Sequence, residues 1–359
     1  MTKRKITRSV NVGGVVIGGG ARIPIQSMTN TDTRNAEATA AQIAALHEAG
    51  CDIVRFTVPD AEAAEAAGRI RKLTEGIPLV ADIHFDYRLA LACIDRGIDK
   101  IRINPGNIGS EEGVRAVAKA CLSRHIPIRI GVNGGSLEKK LFEKYGSPTP
   151  EALFESAVGH IKLLERYGFE DIVISVKSSD VTCTVEANRY ISENCDFPLH
   201  IGVTEAGGRR SGIIKNAAAL GALISSGIGD TVRISLTDDP LEEVRAAKEI
   251  LRSLRCTGHS GLEIVSCPTC GRTGIDLVRL VSELEAAVDR EGLRDVPCRV
   301  AVMGCAVNGP GEAREADFGV AGGKGEALFF EHGRIMGKIP EDGIVPFITD
   351  CLKSRKEKM

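Results

Sequence analysis

Between Arg22 and about Arg255, short runs rich in β-branched residues alternate with longer stretches whose apolar positions recur every three or four residues. Eight runs read as strands: 23–27 (IPIQS), 51–55 (CDIVR), 78–82 (PLVAD), 100–104 (KIRIN), 127–133 (PIRIGVN), 171–177 (DIVISVK), 199–205 (LHIGVTE) and 231–235 (TVRIS). The stretches between them read as helices. In EALFESAVGHIKLLERYG, for example, Leu153, Ala157, Ile161 and Leu164 share one face before Gly168 ends the run. Eight strand–helix repeats within ~230 residues predict a closed (β/α)8 TIM barrel. The rival, a doubly wound open sheet, lacks a G-x-G-x-x-G between strand and helix, and GGVVIGGG near residue 13 reads instead as a hairpin closing the barrel's bottom.

After Arg255 the rhythm breaks, which puts a boundary near residue 257 and divides the chain into 1–256 and 257–359. The second part holds strand-like EIVSC and RVAVMGC, one helix in TGIDLVRLVSELEAAVDREG, a glycine-rich turn and a basic tail, KSRKEKM, expected to fray. This predicts a small α+β domain.

Composition narrows the function. Lys and Arg number 46 against 48 Asp and Glu, which argues against a surface built to cover nucleic acid, so any phosphate chemistry must come from a local cluster. The only apolar stretch near the amino terminus is short and broken by glycine, which fits neither a signal peptide nor a membrane span and predicts a cytoplasmic protein. Eleven cysteines in that compartment stay reduced, so clustered ones point to metal or redox chemistry, whereas Cys51, Cys93, Cys121, Cys183 and Cys195 read as small buried hydrophobes.

Several strands carry charged or amide residues where a barrel strand would show Val, Ile or Leu: Arg55, Asp82, Arg102, Asn104, Arg129, Asn133, Lys177, Glu205, Arg233 and Ser235. Alternation puts Arg102 with Asn104, Arg129 with Asn133, and Arg233 with Ser235 on one face of their strands. Taken singly, each is equally well read as a side chain facing the helices and reaching water. Together, five cations converging on one pocket repel and desolvate one another unless an anion neutralises them. A diphosphate is the natural partner, at the barrel end where chemistry sits. Asp82, His84, Thr204 and Glu205 add acid, base and hydrogen-bonding groups to the same rim. Glu205 reads either as charge balance or as a proton carrier.

Cys267-x-x-Cys270 on a Pro/Gly turn lets two sulfurs meet one metal, as in both zinc knuckles and iron–sulfur sites. A zinc ribbon wants a second such pair, and the later Cys298 and Cys305 are separated by six intervening residues. The turn NGPG at 308–311 would bring Glu312 back toward the metal of Cys305. Three thiolates and a carboxylate suit a cluster with a weakly held fourth ligand better than a closed zinc site, although zinc stays open.

The chain resembles the bacterial 4-hydroxy-3-methylbut-2-enyl diphosphate synthases of two-domain form, over essentially its whole length. The resemblance rests on PIQSMTNTDT (24–33), ADIHFDYRLA (81–90), KIRINPGN (100–107), IRIGVN (128–133), VTEAG (203–207), SCPTCGRTGIDL (266–277) and GCAVNGPGEA (304–313). It implies a barrel like that of dihydropteroate synthases and a carboxy-terminal domain resembling sulfite and nitrite reductases. It also implies a [4Fe–4S] cluster on Cys267, Cys270, Cys305 and Glu312. Arg55, Arg102, Arg129 and Lys177 match the phosphate contacts of a cyclic diphosphate. Asp82, His84, Asn133, Thr204, Glu205, Arg233 and Ser235 match the other pocket residues.

The implied reaction is the two-electron reductive opening and dehydration of 2-C-methyl-D-erythritol 2,4-cyclodiphosphate. In it Glu205 is expected to serve protons and Glu312 to give way to the substrate. Ferredoxin or flavodoxin is the expected electron donor, and a head-to-tail homodimer is expected to bring one chain's cluster to its partner's barrel. Two rival functions follow from the residues alone: a pterin-type barrel transferase with a structural metal, and an RNA-binding protein with a zinc module.

Overall fold

The computed structural model describes residues 3–256, 258–305 and 314–359, which form two compact units, Met1–Gly258 and His259–Met359. In the first, a hairpin of β1 (Ser9–Val12) and β2 (Val15–Gly18) precedes eight parallel strands: β3 (Gln26–Met28), β4 (Ile53–Thr57), β5 (Leu79–Asp82), β6 (Lys100–Ile103), β7 (Ile128–Asn133), β8 (Ile172–Lys177), β9 (His200–Ile201) and β10 (Thr231–Val232). Strands β3 to β8 pair in sequence order and β9 pairs with β10. The bridges Ile174↔Leu199 and Ile25↔Val232 join these two pieces into a ring.

The helices between strands are α1 (Ala36–Glu48), α2 (Ala61–Leu73), α3 (Tyr87–Asp95), α4 (Glu111–Arg124), α5 (Lys139–Tyr145), α6 (Pro150–Glu165), α7 (Val181–Asn194) and α8 (Arg209–Ser225), followed by α9 (Pro240–Ser253). Their starts are written locally. The side chains of Asp60, Ser110, Thr149 and Asp180 accept from the backbone N–H three residues on, a cap that contributes about 1 kcal/mol. Between helices and strands lies one aliphatic core, in which Ile101, Ile103, Ile128 and Ile130 are fully buried on the outer faces of β6 and β7. A separate cluster closes the bottom: Val10, Val12 and Ile17 of the hairpin pack on Ile53, Val80 and Val173.

The last two barrel strands are shorter than their apolar runs. Gly202 ends β9 at φ +152°, and a Cβ there would lie 2.1 Å from the Arg233 carbonyl oxygen and 3.1 Å from the Lys177 ammonium. Thr204, Glu205, Arg233 and Ser235 therefore stand beyond the strand ends. In the second unit, β11 (Glu263–Ser266), β12 (Arg299–Met303), β13 (Phe318–Gly322), β14 (Glu326–Glu331) and β15 (Arg334–Pro340) form one sheet in that order. The first three are parallel and the last three antiparallel. Helices α10 (Leu277–Arg290) and α11 (Ile344–Lys356) pack on it through Leu280, Leu284, Ile348 and Leu352. The basic tail, expected to fray, is helical as far as Lys356, because Ile344, Ile348 and Leu352 bury one face of the helix that carries it.

Gly202→Ala should destabilise the protein by at least ~2 kcal/mol, because both its backbone angle and the Arg233 carbonyl exclude a Cβ. Chemical denaturation reads this directly; a loss below ~0.5 kcal/mol would mean that β9 and β10 separate without cost.

Candidate functional site

The carboxyl ends of the barrel strands surround a cavity of about 280 Å³. Arg55, Arg102, Arg129, Lys177 and Arg233 line it, each from a different strand or strand end, together with Asp82, His84, Asn133 and Thr204. Register explains the convergence: Arg102 lies beside Arg129, and Asn133 beside Lys177, on neighbouring parallel strands. Two like charges side by side on one face repel. Arg102 fits there only because Gly131 leaves its place empty, since a Cβ at 131 would come within 2.5 Å of the Arg102 Nε.

Anions within the ring are scarce. The Asp82 carboxylate accepts from Arg102 Nη1 at 3.0 Å and lies 3.8 Å from Arg55 and 4.0 Å from His84. Glu243, from the first turn of α9, accepts from Arg233 Nη2 at 3.0 Å and from the Ser27 hydroxyl at 2.8 Å. Arg129 and Lys177 have no carboxylate within 4 Å among the described residues, and Arg129, only 2% exposed, leaves its Nε without a partner. Arg55 directs Nε and Nη2 at the Met28 thioether, a weak acceptor, at 3.0 and 2.8 Å. Burial and neighbouring cations lower Arg129 and Lys177 well below their ordinary ranges, and burial lowers Arg55 to about 10. Burial would raise Asp82, but Arg55 and Arg102 outweigh it and hold the carboxyl at about 2. These ion pairs therefore contribute fully above about pH 4 and are lost as the pH falls towards 2.

Nine of the twelve residues expected at the site line this cavity. Ser235 and Glu205 do not; Glu205 is exposed on the loop after β9, in the left-handed region at φ +51°. Thr204 is fixed by its N–H to the Ser178 carbonyl at 3.2 Å. Asn104 is buried outside the lining, where its Oδ1 accepts from Gly106 N at 3.0 Å. Sequence reasoning missed Met28, Thr57, Gly131 and Ser175, which also line the cavity. Each is an inward neighbour, two residues from a polar position or across the ladder from one, and strand alternation alone could have found it.

In the second unit, Cys267 and Cys270 follow β11 and Cys305 follows β12. Those strands are parallel neighbours, with Ser266 in register with Val302, so the cysteine loops leave the same end of the sheet. The Gly304 N–H donates to Cys267 Sγ at 3.2 Å. Cys270 is exposed, and the backbone N–H of Arg272, helped by the Thr273 and Arg272 side chains, lowers its thiol. Glu312 lies outside the described residues, among which no group of three or more His, Cys, Asp or Glu is arranged to hold a metal. The donor chemistry nonetheless fits a thiolate-bound metal: accessible sulfur, one thiol already lowered, and a backbone N–H directed at another. Cys298 is unsuited, since burial pushes its thiol up to about 12.

A closed (β/α)8 barrel whose mouth collects five cations around one aspartate defines an anion-binding barrel enzyme. The chain belongs to the GcpE family: the GcpE TIM-barrel domain matches residues 7–248 and the GcpE protein C-terminal domain residues 263–354. It is 56% identical over 351 residues to a Clostridium perfringens protein, covering 98% of this chain and 99% of that one. It is 54% identical over 338 residues to one from Listeria monocytogenes, covering 94% and 90%. Both are named 4-hydroxy-3-methylbut-2-en-1-yl diphosphate synthase (flavodoxin). Among solved structures, dihydropteroate synthase from Stenotrophomonas maltophilia shares the fold at a TM-score of 0.51 and 15% identity, over 69% of this chain and 98% of that one.

Arg129→Met should raise the stability of the ligand-free protein by about 1–3 kcal/mol, because a buried, unpaired cation gives way to an apolar chain of similar length. The same variant should lose anion binding. Thermal unfolding checks both: saturating diphosphate should raise the wild-type midpoint by about 5–10 °C and leave the variant unmoved.

Proposed function

We propose that this chain catalyses the reductive ring opening of 2-C-methyl-D-erythritol 2,4-cyclodiphosphate to 4-hydroxy-3-methylbut-2-enyl diphosphate, the product named in its relatives. The observation that carries this reading is the excess of buried positive charge over carboxylate at the barrel mouth. Such a site is complete only when an anion of two or more charges enters it. The reaction adds two electrons and two protons, breaks the ring carbon–oxygen bond to phosphate and releases a hydroxyl as water.

Arg55, Arg102, Arg129, Lys177 and Arg233 hold the two phosphates, and Arg55 exchanges the Met28 sulfur for a phosphate oxygen. Asp82 keeps Arg102 and Arg55 oriented, while His84, Asn133, Thr204 and Ser235 direct the carbon skeleton. The cations also stabilise the charge that grows on the leaving oxygens. Glu205 is assigned the proton, which requires its exposed loop to turn toward the cavity. Cys267, Cys270, Cys305 and Glu312 would hold a [4Fe–4S] cluster. When bound, it supplies the electrons singly.

The relatives' names support flavodoxin over ferredoxin as the donor. No helix among the described residues is long and apolar enough to cross a membrane, in keeping with a cytoplasmic enzyme. We assign the first unit to substrate and the second to the cluster, with a head-to-tail homodimer joining one chain's cluster to its partner's barrel.

Anaerobically purified holoenzyme with reduced flavodoxin should convert the cyclodiphosphate to the linear diphosphate, identified by mass spectrometry. A verified cluster with no product would overturn the reading. Lys177→Ala should lower kcat/KM by about 100-fold or more. Mixing Cys270→Ala chains with Arg129→Ala chains should restore activity in trans, and failure in a verified heterodimer would exclude the head-to-tail arrangement.

A further inference from the structure

One layer below the cavity, the barrel holds polar side chains that the phosphate contacts leave unused. Gln26 on β3, Lys100 on β6 and His200 on β9 stand two residues before Met28, Arg102 and Gly202, and so point inward one step deeper. Lys100 and His200 are both 0% exposed. The Lys100 ammonium donates to Gln26 Oε1 at 3.2 Å. The Gln26 amide nitrogen and both ring nitrogens of His200 have no hydrogen-bond partner among the described residues. Ile53 and Val80 stand beside them, in register with Gln26 and Lys100, and pack with Val173 on the hairpin that closes the bottom.

The charged groups facing this layer are nearly all positive. Arg55 on β4, Arg129 on β7 and Lys177 on β8 act on His200 together with Lys100, and Arg233 beyond β10 adds to the field at Lys177 and Arg129. The carboxylates that reach the ring are Asp82 on β5 and Glu243 on α9, and both already have arginine partners. From β10 comes Thr231, whose hydroxyl is committed to the Pro24 carbonyl at 3.0 Å. A charge on Lys100 or His200 is therefore opposed by desolvation and by like charge, with no nearby anion to offset either. Burial, with these cations, lowers both groups well below their ordinary ranges.

An entering diphosphate reverses the sign of that field. We propose that Lys100 and His200 form a proton-binding layer which takes up a proton as the substrate diphosphate enters, so that binding and protonation of the barrel floor are one coupled event. It rests on the diphosphate reading of the cavity. Each phosphorus of a cyclic diphosphate bears one ester and one anhydride oxygen, and so a single acidic hydroxyl that is fully ionised near neutral pH; a proton gained on binding must therefore be gained by the protein. No covalent step is involved: the proton comes from solvent or buffer and leaves with the product.

Calorimetric titration of the oxidised holoenzyme with the cyclodiphosphate, without reductant, measures the uptake. The enthalpy is compared at one pH, near 8, in buffers of different ionisation enthalpy. The expected result is about one proton gained per site and a dissociation constant that rises up to tenfold per pH unit above neutrality. In Lys100→Met or His200→Asn, uptake should fall by half or more and the pH dependence should flatten, with the fold verified by thermal unfolding. Two variants keep the test decisive if one fails to fold. Binding without proton uptake in the wild type, or uptake unchanged in whichever variants fold, would overturn the layer, and the latter would assign the proton to another group of the cavity. Absence of any cyclodiphosphate binding would instead remove the diphosphate reading and this inference with it.

Discussion

The side-by-side placement of Arg102 and Arg129 on adjacent strands is the constraint around which the barrel mouth is built. Neither can turn away: both are buried, and the outer faces of β6 and β7 carry isoleucines packed in the aliphatic core. Everything nearby answers that pairing. Gly131 gives up a side chain so that Arg102 can cross β7, Asp82 is spent on Arg102 and Arg55, and Glu243 is brought in from an outer helix to hold Arg233. Arg129 has no carboxylate within 4 Å among the described residues. A fold stable by only ~5–15 kcal/mol tolerates such a group only if much apolar burial surrounds it, and the two aliphatic layers of this barrel provide that.

This division of labour separates stability from function by face. Along one strand, Ile101 and Ile103 hold the helices while Lys100 and Arg102 face the axis, so alternation lets one segment serve both without compromise. Barrel interiors are usually filled by branched aliphatic residues. Here only part of the lower interior is: Gln26 and Lys100 stand in register with Ile53 and Val80, and the mouth above them is polar.

Much of this was legible in the sequence, for physical reasons. Each β-branched run of the barrel became a strand because alternation and length are local properties, and polar residues breaking those runs marked the mouth. The layer below was equally available, since Lys100 stands two residues before Arg102, but a lysine opening a run is normally a solvated strand end. Glu243 carried no such signal: it sits on a helix with several acids, and only the packing of α9 against β3 selects it. The strands β13 to β15 escaped because Gly319, Gly322 and Gly337 and the exposed, charged β15 dilute the β-branched pattern that marks a strand. In the second unit, spacing singled out the cysteines as candidates, whereas the adjacency of β11 and β12 that brings their loops to one end of the sheet is a pairing no local pattern encodes.

The amino-terminal hairpin has a consequence beyond packing. By stopping the lower end with Val10, Val12 and Ile17, it makes the barrel a blind tube, closed at one end by hydrocarbon and open at the other through a ring of cations. A low-dielectric floor cannot let the field of those cations leak out through the base, so field lines crowd through the mouth and reach into solvent. The tube then draws anions from a distance, and the attraction fades over a Debye length of ~8 Å at physiological ionic strength. A few valines and an isoleucine that touch no ligand thus help to set how fast one arrives.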